Sequence, residues 1–268
     1  MEATVTTTAP ANAAHTEDFI EVAGLKLHVL RGGNGKPALV LHHDLGNTGW
    51  TEFYQALAGS SAIVVPEHPG YGQSERPQWM RSVRDIAAVH QWAIQALGLK
   101  DVALVGLGFG GWIAAEMASL APADFRRLVL VGAMGIQPRE GEILDQALYN
   151  HIAYVRAGLH DQALFDTLFG ADPETDQLEA WEIHRDMTFR IAWKPYMFNP
   201  TLPHLLGGVQ APALLVWGDD DQIVPRECAD LYAQALPNAR IELVRDCGHL
   251  VDLEKPRELA KLVSEFLA

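Results

Sequence analysis

The sequence predicts an α/β fold, with a mostly parallel central sheet flanked by helices and a helical insertion after the sixth strand. Short apolar runs alternate with amphipathic stretches, the pattern of strands that cross over through helices. That rhythm lapses between Met134 and Leu206 and resumes at Ala213. A chain of 268 residues is long enough to bury a large single core.

The elements follow in order. Phe19 to Val22 and Leu25 to Leu30 flank Ala23-Gly24, which reads as a hairpin turn. Ala38 to Leu41 and Ala62 to Val65 read as short buried strands, with a helix around Trp50 to Leu57 between them. From Ser82 to Leu97, Val83, Ile86, Ala87, His90 and Ile94 form one helical face, closed by Gly98. Val102 to Val105 is a strand, Trp112 to Leu120 a helix stopped by Pro122, and Leu128 to Val131 the next strand. Ala213 to Trp217, a helix near Glu227 to Ala235, Arg240 to Val244 and a helix from Arg257 to Phe266 complete the core.

The stretch between is too long for an ordinary loop and is helical in pattern. The division expected is therefore an N-terminal arm over residues 1–17, a core over 18–133 and 207–268, and a helical cap over 134–206. Among the cap aromatics, Tyr154, Trp181 and Trp193 are candidates to line a substrate pocket, although large aromatics also pack ordinary cores.

Composition narrows the function. No apolar run approaches the roughly 18 residues that cross a bilayer, and the Ala/Thr-rich start lacks the basic and apolar regions of a signal peptide. The net charge of −14, with no basic cluster, disfavours nucleic acid and anionic membranes as partners. Two cysteines, Cys228 and Cys247, give no disulfide framework and fit a reducing cytoplasm. The partner expected is a small-molecule substrate, with room left for a homodimer.

DVALVGLGFGGWIAAEMA runs strand, tight turn, helix, with Gly106-Leu107-Gly108-Phe109-Gly110 at the turn. Gly106, Gly108 and Gly111 also spell G-x-G-x-x-G, the dinucleotide fingerprint. That site wants an acid at the end of the next strand, and this one ends Leu130-Val131-Gly132-Ala133-Met134. No cofactor is expected. Farther on, a strand enters an acidic loop at Asp219-Asp220-Asp221, and Asp246-Cys247-Gly248-His249-Leu250 follows the last strand.

Together with Pro69-Gly70-Tyr71-Gly72-Gln73-Ser74, these motifs resemble the α/β-hydrolase superfamily, of the AB hydrolase-1 type, from about residue 20 to the end. In that fold the turn is the nucleophile elbow, G-x-S-x-G. The resemblance puts the acid on Asp221, with Asp219 and Asp220 as alternatives, the histidine on His249, and the nucleophile position on Gly108. It also implies that the Phe109 N–H faces the oxyanion.

The family usually shows H-G-x after the third strand, where this chain has His42-His43-Asp44-Leu45-Gly46. His43 stands at the glycine, and Asp44 stands beside the presumed second oxyanion donor. Asp44 is open to two readings: a second base, acid or partner for a cationic substrate, or a turn cap. His42, His43, Glu67, His68 and His249 are expected to cluster, but without ligand-spacing motifs, so no metal is expected. Cys247 reads as packing and Ser82 as a helix cap.

Glycine at 108 supplies no oxygen or sulfur, so an acyl-enzyme cannot form there. A His249–Asp221 pair still supports general-base catalysis, as proton-abstracting members of the superfamily do. The expectation is an enzyme on a small carbonyl or ester-like substrate, acting by non-covalent hydrolysis or proton abstraction. The rivals are a silent binding protein on the same scaffold, an esterase inactivated by serine-to-glycine replacement, and a cofactor-free oxygenase or lyase.

Overall fold

The computed structural model describes residues 15–268. Most of the arm expected over residues 1–17 lies outside them, and its last two residues belong to the first strand, which begins at Thr16. The chain forms β1 (Thr16–Val22), β2 (Leu25–Gly32), β3 (Pro37–Leu41), α1 (Glu52–Leu57), β4 (Ala62–Pro66) and α2 (Val83–Ala96). β5 (Ala103–Leu107), α3 (Phe109–Leu120) and β6 (Arg127–Val131) follow. After a 3-10 turn at Gln146–Leu148 come α4 (His151–Ala157), α5 (Gln162–Phe169), α6 (Thr175–Ala192) and α7 (Leu202–Leu205). The chain ends with β7 (Ala213–Gly218), α8 (Glu227–Ala235), β8 (Ala239–Val244), α9 (Val251–Glu254) and α10 (Pro256–Leu267).

The eight strands form one sheet in the order β1-β2-β4-β3-β5-β6-β7-β8. β2 runs antiparallel to both β1 and β4, and the remaining pairings are parallel. The β1–β2 hairpin closes at Val22↔Leu25, so Ala23-Gly24 is its two-residue turn. Strand periodicity divides the core. Leu39 and Leu41 of β3 join one apolar layer with α2, α3 and α8, while Ala38 and Val40 join the other with α1 and α10. Central strands covered on both faces are apolar throughout; every residue of β5 and β7 is buried.

Helix α2 starts on a capping box: the Ser82 side chain accepts from Asp85 N, and the Asp85 carboxylate accepts from Ser82 N at 2.9 Å. No helix among the described residues is long and apolar enough to cross a membrane.

The helical segment between β6 and β7 is fastened close to the end of the sheet that carries the motifs. Phe165 of α5 and Trp181 of α6 pack with Val155, Leu159 and Leu250 in a small separate cluster. Leu250, the residue after His249, donates its N–H to the Gly158 carbonyl at 3.0 Å. The segment is thereby tied to the loop that carries the candidate histidine.

Candidate active site

Gly108 links β5 directly to α3 with φ 52° and ψ −110°. A residue bearing a Cβ is strained at such a positive φ, and glycine adopts it freely. The turn is pinned by Gly108 N donating to the Val131 carbonyl at 2.8 Å, and by Met134 N donating to the Gly108 carbonyl at 3.1 Å. A Cβ at Gly110 would run into the Leu41 carbonyl, so the glycine lets the first turn of α3 lie against the end of β3. The Phe109 N–H, first in α3, has no partner within the helix and is free to meet negative charge.

The loop after β7 delivers Asp221. Its Oδ1 accepts from Ile223 N at 2.9 Å and Val224 N at 2.8 Å, which turns Oδ2 toward His249 Nδ1 at 2.9 Å. Both side chains are buried. Of the two neighbouring acids, Asp220 pairs with His160 at the surface and Asp219 turns toward Cys247 N. Burial opposes a charged His249, but the Asp221 charge and hydrogen bond outweigh it and hold the imidazole pKa above its ordinary value. Nε2 of His249 is buried without a hydrogen-bond partner among the described residues and lies 2.9 Å from the place a Cβ on Gly108 would take.

His43 supplies a second pair of the same kind. Its Nε2 lies 2.8 Å from Oδ1 of Asp252 on α9, and its Nδ1, also buried and without a partner among the described residues, lies 2.5 Å from the same Cβ position. The His43 and His249 rings meet at 5.4 Å between centroids and an angle of 62°. His43 thus fills the space that a side chain at 108 would need.

Asp44 is buried, and both of its hydrogen bonds reach Oδ2: Gln146 Nε2 donates at 2.5 Å and the Tyr154 hydroxyl at 3.0 Å. The carboxylate is held by side chains of the helical segment, not by the turn-cap geometry expected as its alternative. Burial first, and then the Asp44 charge, push the Tyr154 hydroxyl pKa well up, so it stays a donor.

The other expected members of the cluster make further contacts. His42, His68 and His90 form a chain of their own: His68 N donates to His42 Nε2 at 2.9 Å, and His68 Nδ1 meets His90 Nε2 at 2.8 Å. Glu67 pairs with His28 at 3.2 Å. The expected residues are neighbours, since His42 Nδ1 also meets the His43 carbonyl at 2.7 Å, but of them only His43 and His249, with Asp44, bring ligand atoms within 4.8 Å of one another. Trp193 is corrected. It lies 47% exposed with its ring against Phe189 and Tyr196, a surface packing position rather than a pocket wall.

Trp181 is buried and, with His43, Leu250 and Asp252, borders a narrow cavity. Cys247 is buried, and burial pushes its thiol pKa upward, away from nucleophile character. Sequence reasoning missed Asp252 and Gln146. Asp252 carries a faint signal, since its place three residues after His249 returns it to the same end of the sheet; Gln146 carries none.

Comparison with known proteins agrees with this architecture. The family model described as alpha/beta hydrolase fold matches residues 37–256. A 2-hydroxy-6-oxononadienedioate/2-hydroxy-6-oxononatrienedioate hydrolase of Paraburkholderia phymatum is 29% identical, covering 100% of this chain and 99% of the relative. A 2-hydroxymuconate semialdehyde hydrolase of a Pseudomonas species is 27% identical, covering 97% of this chain and 96% of the relative. Among solved structures, a bacterial membrane phospholipase A superposes with a TM-score of 0.82 at 24% identity, covering 95% of this chain and 86% of that one. A meta-cleavage product hydrolase from Pseudomonas fluorescens superposes with a TM-score of 0.78 at 21% identity, covering 93% and 96%.

Proposed function

The chain belongs to the α/β-hydrolase family, and on that footing we propose that it adds water to a carbonyl of a small organic substrate without forming a covalent enzyme intermediate. One observation supports the reading: at the tight β5–α3 turn, His249 Nε2, with Asp221 on its far nitrogen, lies 2.9 Å from the place a Cβ on Gly108 would take, the position that the family resemblance assigns to the nucleophile. With no oxygen or sulfur at residue 108, the attacking group is water.

In this scheme His249 takes a proton from that water, and Asp221 stabilises the imidazolium that results. The water oxygen attacks the carbonyl carbon, and the developing oxyanion is met by the Phe109 N–H, a donor worth roughly 3–4 kcal/mol in a dry site. When the intermediate collapses, His249 returns its proton to the leaving group. Asp44 stands close enough to oppose excess negative charge, which favours substrates whose charge lies away from this corner. The relatives named above act, by their names, on oxo acids and semialdehydes; an activated ketone or ester is the substrate class proposed here.

The helical segment at 134–206 serves as a cap. His43, Asp44 and His249 are all nearly sealed from solvent, so substrate entry requires the cap to lift. That enclosure also supports a second reading, a hydrolase scaffold retained for binding. The reading as an esterase silenced by one replacement is disfavoured by His43, which fills the space a serine would use.

The test is a panel of esters, lactones, β-diketones and enols with the native chain, together with mass spectrometry of protein quenched during turnover. Turnover with no mass adduct supports the proposal. An adduct, or tight binding without turnover, overturns it.

A further inference from the structure

Three Lewis bases converge beside Gly108. His43, His249 and Asp44 each offer one ligand atom within 4.8 Å of the others, and all three residues are buried; Nδ1 of His43 and Nε2 of His249 both face the place a Cβ on Gly108 would take. In the neutral imidazoles, hydrogen bonding to Asp252 and Asp221 places each ring proton on the outer nitrogen, Nε2 of His43 and Nδ1 of His249. The inner nitrogens are then both acceptors, and neither has a partner among the described residues. Gln146 and Tyr154 both bond to Oδ2 of Asp44, which leaves Oδ1 uncommitted. Buried lone pairs aimed at one another with no donor between them are costly unless a proton donor or a cation sits among them.

We propose that His43, His249 and Asp44 form a three-ligand site for one divalent transition-metal ion of the zinc class, seated where a side chain at residue 108 would otherwise be. Two imidazoles and one carboxylate, with further positions open, make a donor set that zinc and its neighbours accept. Each ligand also has the outer partner that metal sites usually show: Asp252 behind His43, Asp221 behind His249, and Gln146 with Tyr154 behind Asp44.

An ion about 2.1 Å from each donor needs the donors roughly 3–3.5 Å apart, so loading the site draws them in from their present spacing of within 4.8 Å. Glycine at 108 is part of the design, because a Cβ there would lie 2.5 Å from His43 Nδ1 and 2.9 Å from His249 Nε2.

Ion binding goes beyond the hydrolase reading and does not depend on it. Only the consequence for catalysis rests on that reading: His249 Nε2 holds either a proton or the ion, so in the loaded form the ion takes over polarising the water.

The experiment titrates the chelator-treated full chain with Co²⁺, followed by visible absorption, with Zn²⁺ as competitor and elemental analysis for stoichiometry. The expected result is one ion per chain with the d–d bands of a low-coordinate site, displaced by Zn²⁺. Gly108→Ala, which keeps every ligand but fills the seat, should weaken binding at least about 100-fold, and Asp252→Asn by about 10–100-fold. Circular dichroism checks that each variant is folded, and His43→Asn, which deletes a ligand, should weaken binding comparably and serves if Gly108→Ala does not fold.

No uptake by the native chain, or uptake that these variants leave unchanged, overturns the site. Hydrolysis by a chain that takes up no ion overturns the site and leaves the hydrolase reading standing. Uptake by a chain that hydrolyses nothing in the carbonyl panel supports the site and sinks that reading.

Discussion

Nδ1 of His43 lies 2.5 Å from the place a Cβ on Gly108 would occupy, so the two residues share one volume. His43 cannot retreat cheaply, because Asp252 anchors its far nitrogen. Gly108→Ser alone should therefore cost about 1–3 kcal/mol through overpacking and strained φ, and should yield no esterase. Combined with His43→Gly, the same serine should regain thermal stability and turn over p-nitrophenyl esters. Thermal melts and a plate assay on both variants and the native chain check this, and an active single variant would contradict it.

Asp44 depends on the helical segment. Tyr154→Phe removes one of the two donors to a buried carboxylate, which should cost about 1–3 kcal/mol. In a protein of this size that lowers the melting temperature by several degrees. A melt within a degree of the native chain would show that Asp44 does not rely on this bond.

Stability should fall in mild acid. Burial, reinforced by the neighbouring histidine charges, pushes the pKa of His68 well below its ordinary value and that of His90 down to about 3. The unfolded chain takes up those protons near 6.5, so below that pH it binds more protons than the folded chain. Stability from these two groups is complete above about 6.5 and declines as the pH drops toward about 3. Each histidine contributes a slope of up to about 1.4 kcal/mol per pH unit. Urea midpoints measured between about pH 7.5 and 4.5 should fall steadily, and His90→Gln should flatten the decline. A native midpoint independent of pH in that window would refute this.

Ser82→Ala removes the first half of the α2 capping box and should cost about 1 kcal/mol, with Asp85→Ala costing a similar amount. Chemical denaturation of both variants checks the value; no loss in either would mean that packing alone sets the start of α2.

The core strands are legible in the sequence because β5 and β7, covered on both faces, read as uninterrupted apolar runs, and α2 carries both its cap and its periodic face. The His249–Asp221 pair is legible because two loops at the ends of adjacent strands must meet. What the sequence hides is tertiary. Nothing local tells His43 that Asp252 waits on α9, or Asp44 that Gln146 and Tyr154 will descend on it from the segment beyond β6. Trp193 misleads because an aromatic near the end of a long helix packs equally well against surface neighbours.

The central claim is that chemistry at this corner runs through the His249 imidazole and not through an enzyme-bound acyl group. The most direct measurement is the turnover rate of His249→Ala on the best substrate of the carbonyl panel. A loss of about 10²–10⁴-fold, the usual worth of a positioned general base, is predicted. Turnover that survives the substitution within a factor of about two would contradict it, since a change that small lies far below any general-base contribution.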